Sequence, residues 1–493
     1  MSIDTTHPQY AEASLDWQLM RDCYAGQRII KMRSVTYLPA TGGMVLDGVL
    51  RNAEPGRSSY LNYLNRAVFP EAVDSAMKIL LGVLHRKPAK IELPPQLEPM
   101  NDIATRSGET LLGLLRKINE QQLLVGRVAL LADTAPGRTT PHAVLYRAEE
   151  LINWDTENPD AFGLDRLELA VLREVIPRRS GMFEWDDVTR YRVLTITPEF
   201  EKGLPVTAPI YHTFTAEDDV SVDSAPVIIP TFQGRPLAEI PLVVVGANDL
   251  TFVPDQIPML ELARQALAVY RAEADYRQTL HMLAQDTLVT IGEEMNEDGV
   301  LQPLRVGAGA RISLPAAPGA DAKYIGINRD GLSEQRLALQ SDYTRMREMG
   351  ARLLEPRAGV AESGEALKVR LSAQTSSLYQ LAITGAAGLE SFLKVCARWV
   401  GADENAVSVT ANLDFAETDA KSAELRDLMD AREKGAPLSM ESIHTWAKQN
   451  GFTESEFDAE VGMIKAEKEL MTMLKPAGPP SGVPNEEGTP PAE

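Results

Sequence analysis

Apolar residues recur at helical spacing in two parts of this 493-residue chain, and the pattern between them is strand-like. Apolar residues that recur every three or four positions predict helices over residues 8–35, 60–85, 108–125 and 258–283. Short segments rich in β-branched and aromatic residues lie between the third and fourth helices, at residues 128–131, 143–146, 169–175, 191–196, 209–213 and 242–245. Because no helical crossover separates these segments, the sequence predicts a mostly antiparallel β region and an α+β fold class.

The second half of the chain has a helix, a small β region and another helix in succession. Three short strands are predicted at residues 287–291, 311–314 and 324–327. The helix that follows has an apolar stripe made of Leu339, Tyr343, Met346, Gly350 and Leu353. A small β module between two neighbouring helices is expected to project from the main body.

A short breaker and a very long helix come next. Pro356 ends the helical pattern because proline lacks the amide donor that a helix needs. The pattern then runs from Leu367 to Trp399, a helix of roughly 35 residues where ~11–12 is usual. Gly385 and Gly388 in its middle each cost about 1 kcal/mol relative to alanine. We therefore expect either a bend or very close packing of another backbone at these glycines.

Short strands are also predicted around Ile91 and over residues 407–415, and two or three acidic helices follow the second of these. The last stretch, residues 476–493, consists mainly of Pro, Gly and Glu and is expected to be disordered.

Length and composition indicate a protein of two to four domains without a membrane segment. No window approaches 18 uninterrupted apolar residues, and the N-terminus lacks the basic and apolar order of a signal peptide. Cys23 and Cys396 are the only cysteines, which excludes a disulfide framework and a zinc cluster. We expect both thiols to be reduced and buried.

The charge distribution limits how this chain could act on nucleic acid. A net charge of -21 argues against tight binding, because that affinity comes from cations displacing counterions from phosphates. It does not argue against a protein that lets nucleic acid slide past. Residues 417–493 hold 16 acids and 8 bases, whereas residues 332–357 hold five arginines and four acids. Charge sign therefore changes along the chain.

Two of those arginines, Arg345 and Arg352, are seven residues apart and share one helix face. One interpretation is an exposed face with ion pairs such as Arg345 with Glu348. The other is a sparse set of cations that faces a polyanion. Sequence order does not choose between them.

Sequence signatures of common enzymes are absent. There is no phosphate-binding G-x-x-x-x-G-K-[ST], no H-E-x-x-H and no G-x-S-x-G. Gly307 and Gly309 are interpreted as a turn, His281 as a packed or solvated histidine, and acidic pairs such as Asp186–Asp187 as solvated loop charges. We expect no catalytic residue, no metal site and no cofactor.

Several segments resemble one known family when taken in order. They are Tyr60-Leu61, Arg66-Ala67-Val68-Phe69, Gly82-Val83-Leu84-His85-Arg86-Lys87-Pro88, Ala274-Asp275-Tyr276, Met349-Gly350-Ala351-Arg352-Leu353-Leu354, Glu362-Ser363-Gly364-Glu365-Ala366 and Ala397-Arg398-Trp399. Over about residues 60–470 the chain resembles tailed-bacteriophage portal proteins, specifically a branch catalogued as a domain of unknown function. Portal proteins form rings, usually of twelve subunits, around a DNA channel.

The resemblance implies a portal-type protomer with wing, stem, clip and crown. N-terminal helices and a β-rich wing would occupy residues 1–253, with a wing strand at 402–416. The first stem helix would be 254–285, the clip β module 286–331 and the second stem helix 332–355. A tunnel loop at 356–363, a long kinked helix at 364–401, crown helices at 417–475 and the disordered tail at 476–493 complete the map.

The implied function is a DNA channel at one capsid vertex for genome packaging, retention and ejection, and for the head–tail connection. Candidate channel residues are Arg345, Arg352, Arg357, Gly359 and Ser363. Implied partners are copies of the chain, double-stranded DNA in transit, the large terminase, the major capsid or scaffolding protein, and a head–tail adaptor, with no membrane. The protein would assemble in the host cytoplasm and reside at the portal vertex of the virion. Alternatives are another virion component, such as a minor head protein or adaptor, and a metal-dependent nuclease that uses acidic clusters.

Overall fold

The fold is given by a computed structural model with two compact units, residues 1–413 and 414–493. It describes residues 2–135, 138, 140–157, 166–197, 200–201, 204–205, 210–217, 225–232, 234–283, 287–291, 318–325, 331–352, 364–413, 415, 418–449, 452–453 and 455–474. Each unit is described by itself.

Helices dominate the start of the first unit, and two of the helices predicted from the sequence are each divided into two. They are α1 (Pro8–Ala25), α2 (Gln27–Met32), α3 (Gly42–Leu46), α4 (Gly56–Arg66), α5 (Ala72–Leu84) and α6 (Leu111–Val125). The single helix predicted over residues 8–35 is wrong, because Gly26 takes a φ of 82° and separates α1 from α2. The helix predicted over 60–85 is likewise two helices, because Ala67 becomes extended and Pro70 interrupts the chain.

The predicted antiparallel β region is confirmed. A four-stranded sheet has the order β4 (Leu151–Glu157), β5 (Arg166–Arg179), β6 (Trp185–Thr197) and β9 (Ile210–Glu217). A three-stranded sheet has the order β12 (Leu242–Gly246), β2 (Arg127–Asp133) and β3 (His142–Arg147). Every pair within both sheets is antiparallel.

Four two-stranded pairs are also present among the described residues, and three of them are formed by strands outside residues 284–331. Strands β7 (Phe200–Glu201) and β8 (Leu204–Pro205) pair, as do β10 (Thr231–Phe232) and β11 (Arg235–Pro236). Strand β1 (Lys90–Glu92) pairs with β15 (Ser408–Thr410), so the short strands predicted around Ile91 and within 407–415 meet each other. That pairing joins a strand near the end of the first unit to the strand that follows α5.

A buried arginine joins α1 to both sheets. The guanidinium of Arg127 lies 5.2 Å from the ring centre of Trp17 and 4.5 Å from that of Trp154. It donates hydrogen bonds to the carbonyls of Phe252, at 2.8 Å, and Leu151, at 3.2 Å. Burial lowers the pKa of Arg127 to about 10. Cation–π contacts and two carbonyls thus replace the water that this charge loses.

The helical part of the second half begins with α7 (Leu260–Leu283) and continues through β13 (Thr287–Ile291) and β14 (Asp321–Ile325) to α8 (Leu332–Arg352). Strands β13 and β14 are antiparallel, with Thr287 opposite Ile325. The strand predicted at residues 311–314 lies outside the described residues, as does Gly307–Gly309.

The long helix is α9 (Gly364–Val400), which is continuous through both of its central glycines. A Cβ added at Gly385 would overlap the side-chain amide of Asn119 on α6, and one added at Gly388 would overlap Val245 on β12. The packing at both glycines is close, but the groups in contact are side chains, so the expected close approach of another backbone is wrong. The kink stays a prediction.

The second unit has three described helices, α10 (Thr418–Glu433), α11 (Met440–Gln449) and α12 (Phe457–Leu474). Trp446 stacks on Phe452, with ring centres 6.0 Å apart. The predicted disordered tail lies outside the described residues. Across both units, no described helix is long and apolar enough to span a membrane.

Candidate functional site

Helices α7 and α8 pack against each other, and the β13–β14 pair lies between them in the chain. Apolar spacing along α7 predicts a stripe of five residues, of which Leu260 is half-buried and the others are buried: Ala263, Leu267, Tyr270 and Ala274. On α8, Met346 is the one buried residue among the side chains that the structure describes. The contact between the two helices therefore depends on few apolar residues from the α8 side.

Hydrogen bonds also hold α8 to α7, where the apolar contacts from α8 are few. Glu273 of α7 is only 7% exposed and accepts a hydrogen bond from the Tyr343 hydroxyl of α8. Arg277 donates to the same carboxylate from Nε at 2.8 Å and from Nη2 at 2.7 Å. Burial raises the pKa of Tyr343, and the hydrogen bond to Glu273 raises it further. A buried carboxylate is tolerated here because both of its oxygens are paired.

A second polar set attaches α7 to the N-terminal helices. The Tyr63 hydroxyl of α4 donates to Asp275 at 2.6 Å, and Arg66 donates to Gln278 at 2.5 Å. Burial and the hydrogen bond to Asp275 raise the pKa of Tyr63. Helix α7 is thus fixed on one side to the body of the unit and on the other to α8.

The last turns of α9 are also fixed to the body. The Trp399 indole donates to the Arg235 carbonyl at 3.3 Å. Arg398 forms ion pairs with Glu239 at 2.6 Å and with Glu404 at 2.5 Å. The C-terminal half of α9 is therefore part of the core, whereas α8 contributes one buried side chain among those that the structure describes.

The structure places one of the five predicted channel residues in full. Arg345 is exposed on α8, one residue before the buried Met346. Arg352 is the last residue of α8, and its side chain is not described. Arg357, Gly359 and Ser363, together with the predicted tunnel loop, lie outside the described residues. The structure therefore does not bring the five residues together.

Sequence reasoning missed Glu273, which is the centre of the contact between α7 and α8. The signal was present, because Glu273 follows Ala263, Ala266 and Tyr270 on the buried stripe and precedes Arg277 by four residues. An acid on an apolar stripe calls for a buried partner.

Both cysteines, Cys23 and Cys396, are unpaired and buried, as the sequence predicted. Burial raises the pKa of Cys23 to about 12 and also raises that of Cys396. Among the described residues, no group of three His, Cys, Asp or Glu side chains could hold a metal ion. His281 is exposed on α7.

Comparison with known proteins gives one family match. A family model described as "Domain of unknown function (DUF4055)" matches residues 258–400. That stretch contains α7, the β13–β14 pair, α8 and α9. No curated protein matches the chain.

Solved structures that resemble the chain come from gene transfer agent (GTA) particles. A chain from the neck of a native GTA particle, computed with C12 symmetry, is 16% identical with a TM-score of 0.39, over 76% of this chain and 88% of that chain. A chain from the virion of a native GTA particle is 15% identical with a TM-score of 0.39, over 77% and 91%. A chain from the neck of an empty GTA particle, computed with C6 symmetry, is 14% identical with a TM-score of 0.38, over 76% and 88%. These scores are too low to establish a shared fold.

Proposed function

We propose that this chain is the subunit of a portal ring, a virion component of a tailed phage or phage-like particle that forms the DNA channel at one capsid vertex. The observation that carries the proposal is the helix–β–helix arrangement of α7, β13–β14 and α8. The match to a family model falls on this arrangement and on the long helix that follows it. The ordered resemblance of the sequence to portal proteins supplies the function.

In this proposal α7 and α8 form the stem, and copies of the pair stand side by side around an axial opening. The buried Glu273–Tyr343–Arg277 contact keeps the two helices in register, and Tyr63 and Arg66 hold α7 to the body. A stem fixed in this way could bear axial load while DNA is packaged and retained. The β13–β14 pair would be the clip, which docks the packaging motor first and a head–tail adaptor afterwards.

DNA passage would depend on weak and sparse contacts. A ring of subunits with a charge of -21 each repels phosphate overall, so that DNA is not held. Arg336, Arg345 and Arg347 are exposed on α8, and cations at such positions would guide the duplex. The proposal assigns Arg345, Arg352 and Arg357 to the channel wall, with Gly359 and Ser363 in the loop between α8 and α9.

The chemical work of packaging would belong to other proteins. The chain has no phosphate-binding loop sequence, so ATP hydrolysis is assigned to the large terminase. The major capsid or scaffolding protein would surround the ring during assembly. In this proposal the chain is not an enzyme.

Purified protein tests the proposal in two ways. Mass measurement in solution should give a closed multiple of the 54.0 kDa subunit, with twelve copies as the expected number. A strictly monomeric chain at all concentrations would contradict it. Double-stranded DNA incubated with the protein and Mg²⁺ or Mn²⁺ should remain intact, whereas metal-dependent cleavage would favour the nuclease alternative.

A further inference from the structure

The side chain of His7 caps helix α1 as a hydrogen-bond acceptor. Its Nδ1 accepts from the amide of Gln9 at 3.3 Å, and Pro8 follows His7 as the first helical residue. A capping side chain satisfies one of the amides at a helix start that have no partner within the helix. An imidazole nitrogen that accepts a hydrogen bond carries no proton, so His7 occupies this position as the neutral ring.

The same residue lies against the edge of the four-stranded sheet. Its amide donates to the carbonyl of Ile152 on β4 at 2.9 Å. The Asn153 side chain donates to the carbonyl of Thr5 at 3.0 Å. Strand β4 is an end strand of its sheet. Residues 5–7 therefore cover part of an edge strand, whose backbone groups could otherwise pair with another chain.

The carbonyl that His7 covers belongs to a β-bulge. The pairing of β4 with β5 shifts between Leu151 and Asn153, so Ile152 is the extra residue of the bulge. The extra residue of a bulge is left out of the regular ladder. The His7 amide supplies the partner that the Ile152 carbonyl needs.

The His7 ring also contacts an indole that already contacts a cation. It stacks on Trp154 of β4, with ring centres 4.1 Å apart and an angle of 24° between the planes. The guanidinium of Arg127 lies 4.5 Å from the centre of the same indole ring. A protonated His7 ring would therefore place a second positive charge close to Arg127, and the two charges would repel each other.

The surroundings of His7 oppose its protonation on balance. Arg127 of β2 and Asp155 of β4 face the ring from the strands packed against it, and the charged residues nearest to it in sequence, Asp4 and Glu12, are exposed. Burial lowers the pKa of His7, Arg127 lowers it further, and Asp155 acts in the opposite direction. The start of α1 adds the positive end of the helix dipole.

We infer that His7 is a pH-sensitive latch, which holds the N-terminal segment on the edge of β4 when the ring is neutral and releases it when the ring is protonated. Protonation converts Nδ1 from an acceptor into a donor that faces the Gln9 amide, so the cap is lost. The imidazolium is then repelled by Arg127 and by the start of α1. Release uncovers the Ile152 carbonyl at the sheet edge.

The direction of the pH effect follows from the lowered pKa of His7 in the latched state. The released side chain titrates near the ordinary value of 6.5, which is higher than its pKa in the latched state. The segment is therefore held most firmly above about pH 6.5, and the latch weakens as the pH falls through the lowered pKa. Ordinary carboxyl groups titrate at lower pH, so they do not produce this effect.

Hydrogen–deuterium exchange of the 493-residue chain measures how firmly the segment is held. The experiment compares about pH 7.5 with about pH 5, the range in which histidines titrate, after correction for intrinsic exchange rates. Protection of the His7 and Gln9 amides should fall about fivefold at the lower pH, the loss expected for one helix cap. A peptide from the buried part of α9 should keep its protection. Loss of protection in both places would show acid unfolding of the whole unit and would contradict the latch.

Two substitutions at position 7 separate titration from structure. H7N keeps a capping acceptor that does not titrate, so protection of the segment should be the same at both pH values. H7A removes the acceptor, so protection should already be low at the higher pH and should change little. H281N is the matched control, because His281 is exposed on α7, and it should behave as the parent protein does. A pH-dependent H7N, or a parent protein whose segment is protected equally at both pH values, would overturn the inference.

The carboxylate of Asp155 gives a second, independent test. D155N removes a charge that favours the protonated ring, so acid should release the segment more completely than in the parent protein. D187N is the matched control, because Asp187 is an exposed acid on β6, and it should match the parent protein. Weaker release in D155N than in the parent protein would contradict the role given to the charges around His7.

Discussion

Helices α8 and α9 follow each other in the chain and have similar apolar stripes, but they are packed in different ways. In α9, Leu389, Phe392, Leu393 and Cys396 are all fully buried. In α8, Met346 is the one buried residue among the described side chains, and a polar contact centred on Glu273 holds the helix. The comparison shows that the C-terminal half of α9 is part of the core, whereas most of the described side chains of α8 are exposed and available to another molecule.

The largest effect should come from removing a core side chain of α9. F392A should lower the free energy of unfolding by about 3–5 kcal/mol, because it removes a fully buried aromatic ring and leaves a cavity. The matched change L337A on α8 should stay within about 0.5 kcal/mol, because Leu337 is 53% exposed. Urea unfolding at one protein concentration measures both. Equal losses would show that α8 is packed as tightly as α9.

Glycine substitution sharpens the same comparison. G388A should cost about 1–3 kcal/mol, since the new Cβ would overlap Val245. G350A in α8 meets nothing within 4 Å and should stabilise the protein by about 0.4–1 kcal/mol through helix propensity and chain entropy. Thermal unfolding followed by circular dichroism distinguishes the two. A neutral G388A would contradict the close packing of α9 against β12.

The polar contact between α7 and α8 should have an intermediate effect. Y343F removes the hydroxyl that donates to Glu273 and should cost about 1–2 kcal/mol, because a buried carboxylate loses one partner. A double-mutant cycle with E273A, which removes the acceptor, isolates the coupling between the two side chains. If the two changes are additive in urea unfolding, the hydrogen bond contributes nothing to stability.

The smallest effect on stability should be at Arg345, although its effect on DNA should be measurable. R345A should change the free energy of unfolding by less than about 0.5 kcal/mol, because the side chain is exposed. Binding of double-stranded DNA to the assembled protein should weaken, and its dependence on salt should become less steep. E334A on the same helix is the control and should not weaken binding. An R345A protein that binds DNA as the parent does would remove Arg345 from the channel wall.

Much of the fold could be predicted from periodicity, and the errors have identifiable causes. Apolar spacing continued across Gly26 and across Pro70, so two pairs of helices were predicted as single helices. Spacing alone does not show where a positive φ or a missing amide donor breaks the chain. The meeting of β1 with β15 could not be predicted, because pairing between distant segments depends on the whole fold.

The site was predictable only in part. Arg345 was predicted to share a helix face with Arg352, and the structure shows that its side chain is exposed. Whether Arg345 points toward a channel depends on how copies of the chain are arranged around it. The sequence of one chain does not specify that arrangement. Asp186 and Asp187 were interpreted as solvated loop charges, and both are exposed, but they lie on strand β6 and not in a loop. Alternation along a strand does not show how far a hairpin extends beyond its neighbours.

The central claim is that copies of the α7–α8 pair surround an axial opening that admits duplex DNA. Electron cryomicroscopy of the purified 493-residue chain tests it most directly. The account predicts a closed ring with an open axis, in which α8 lines the opening and Arg345 faces it. A single compact copy, or a ring in which Arg345, Arg352 and Arg357 all face the outside, would contradict it.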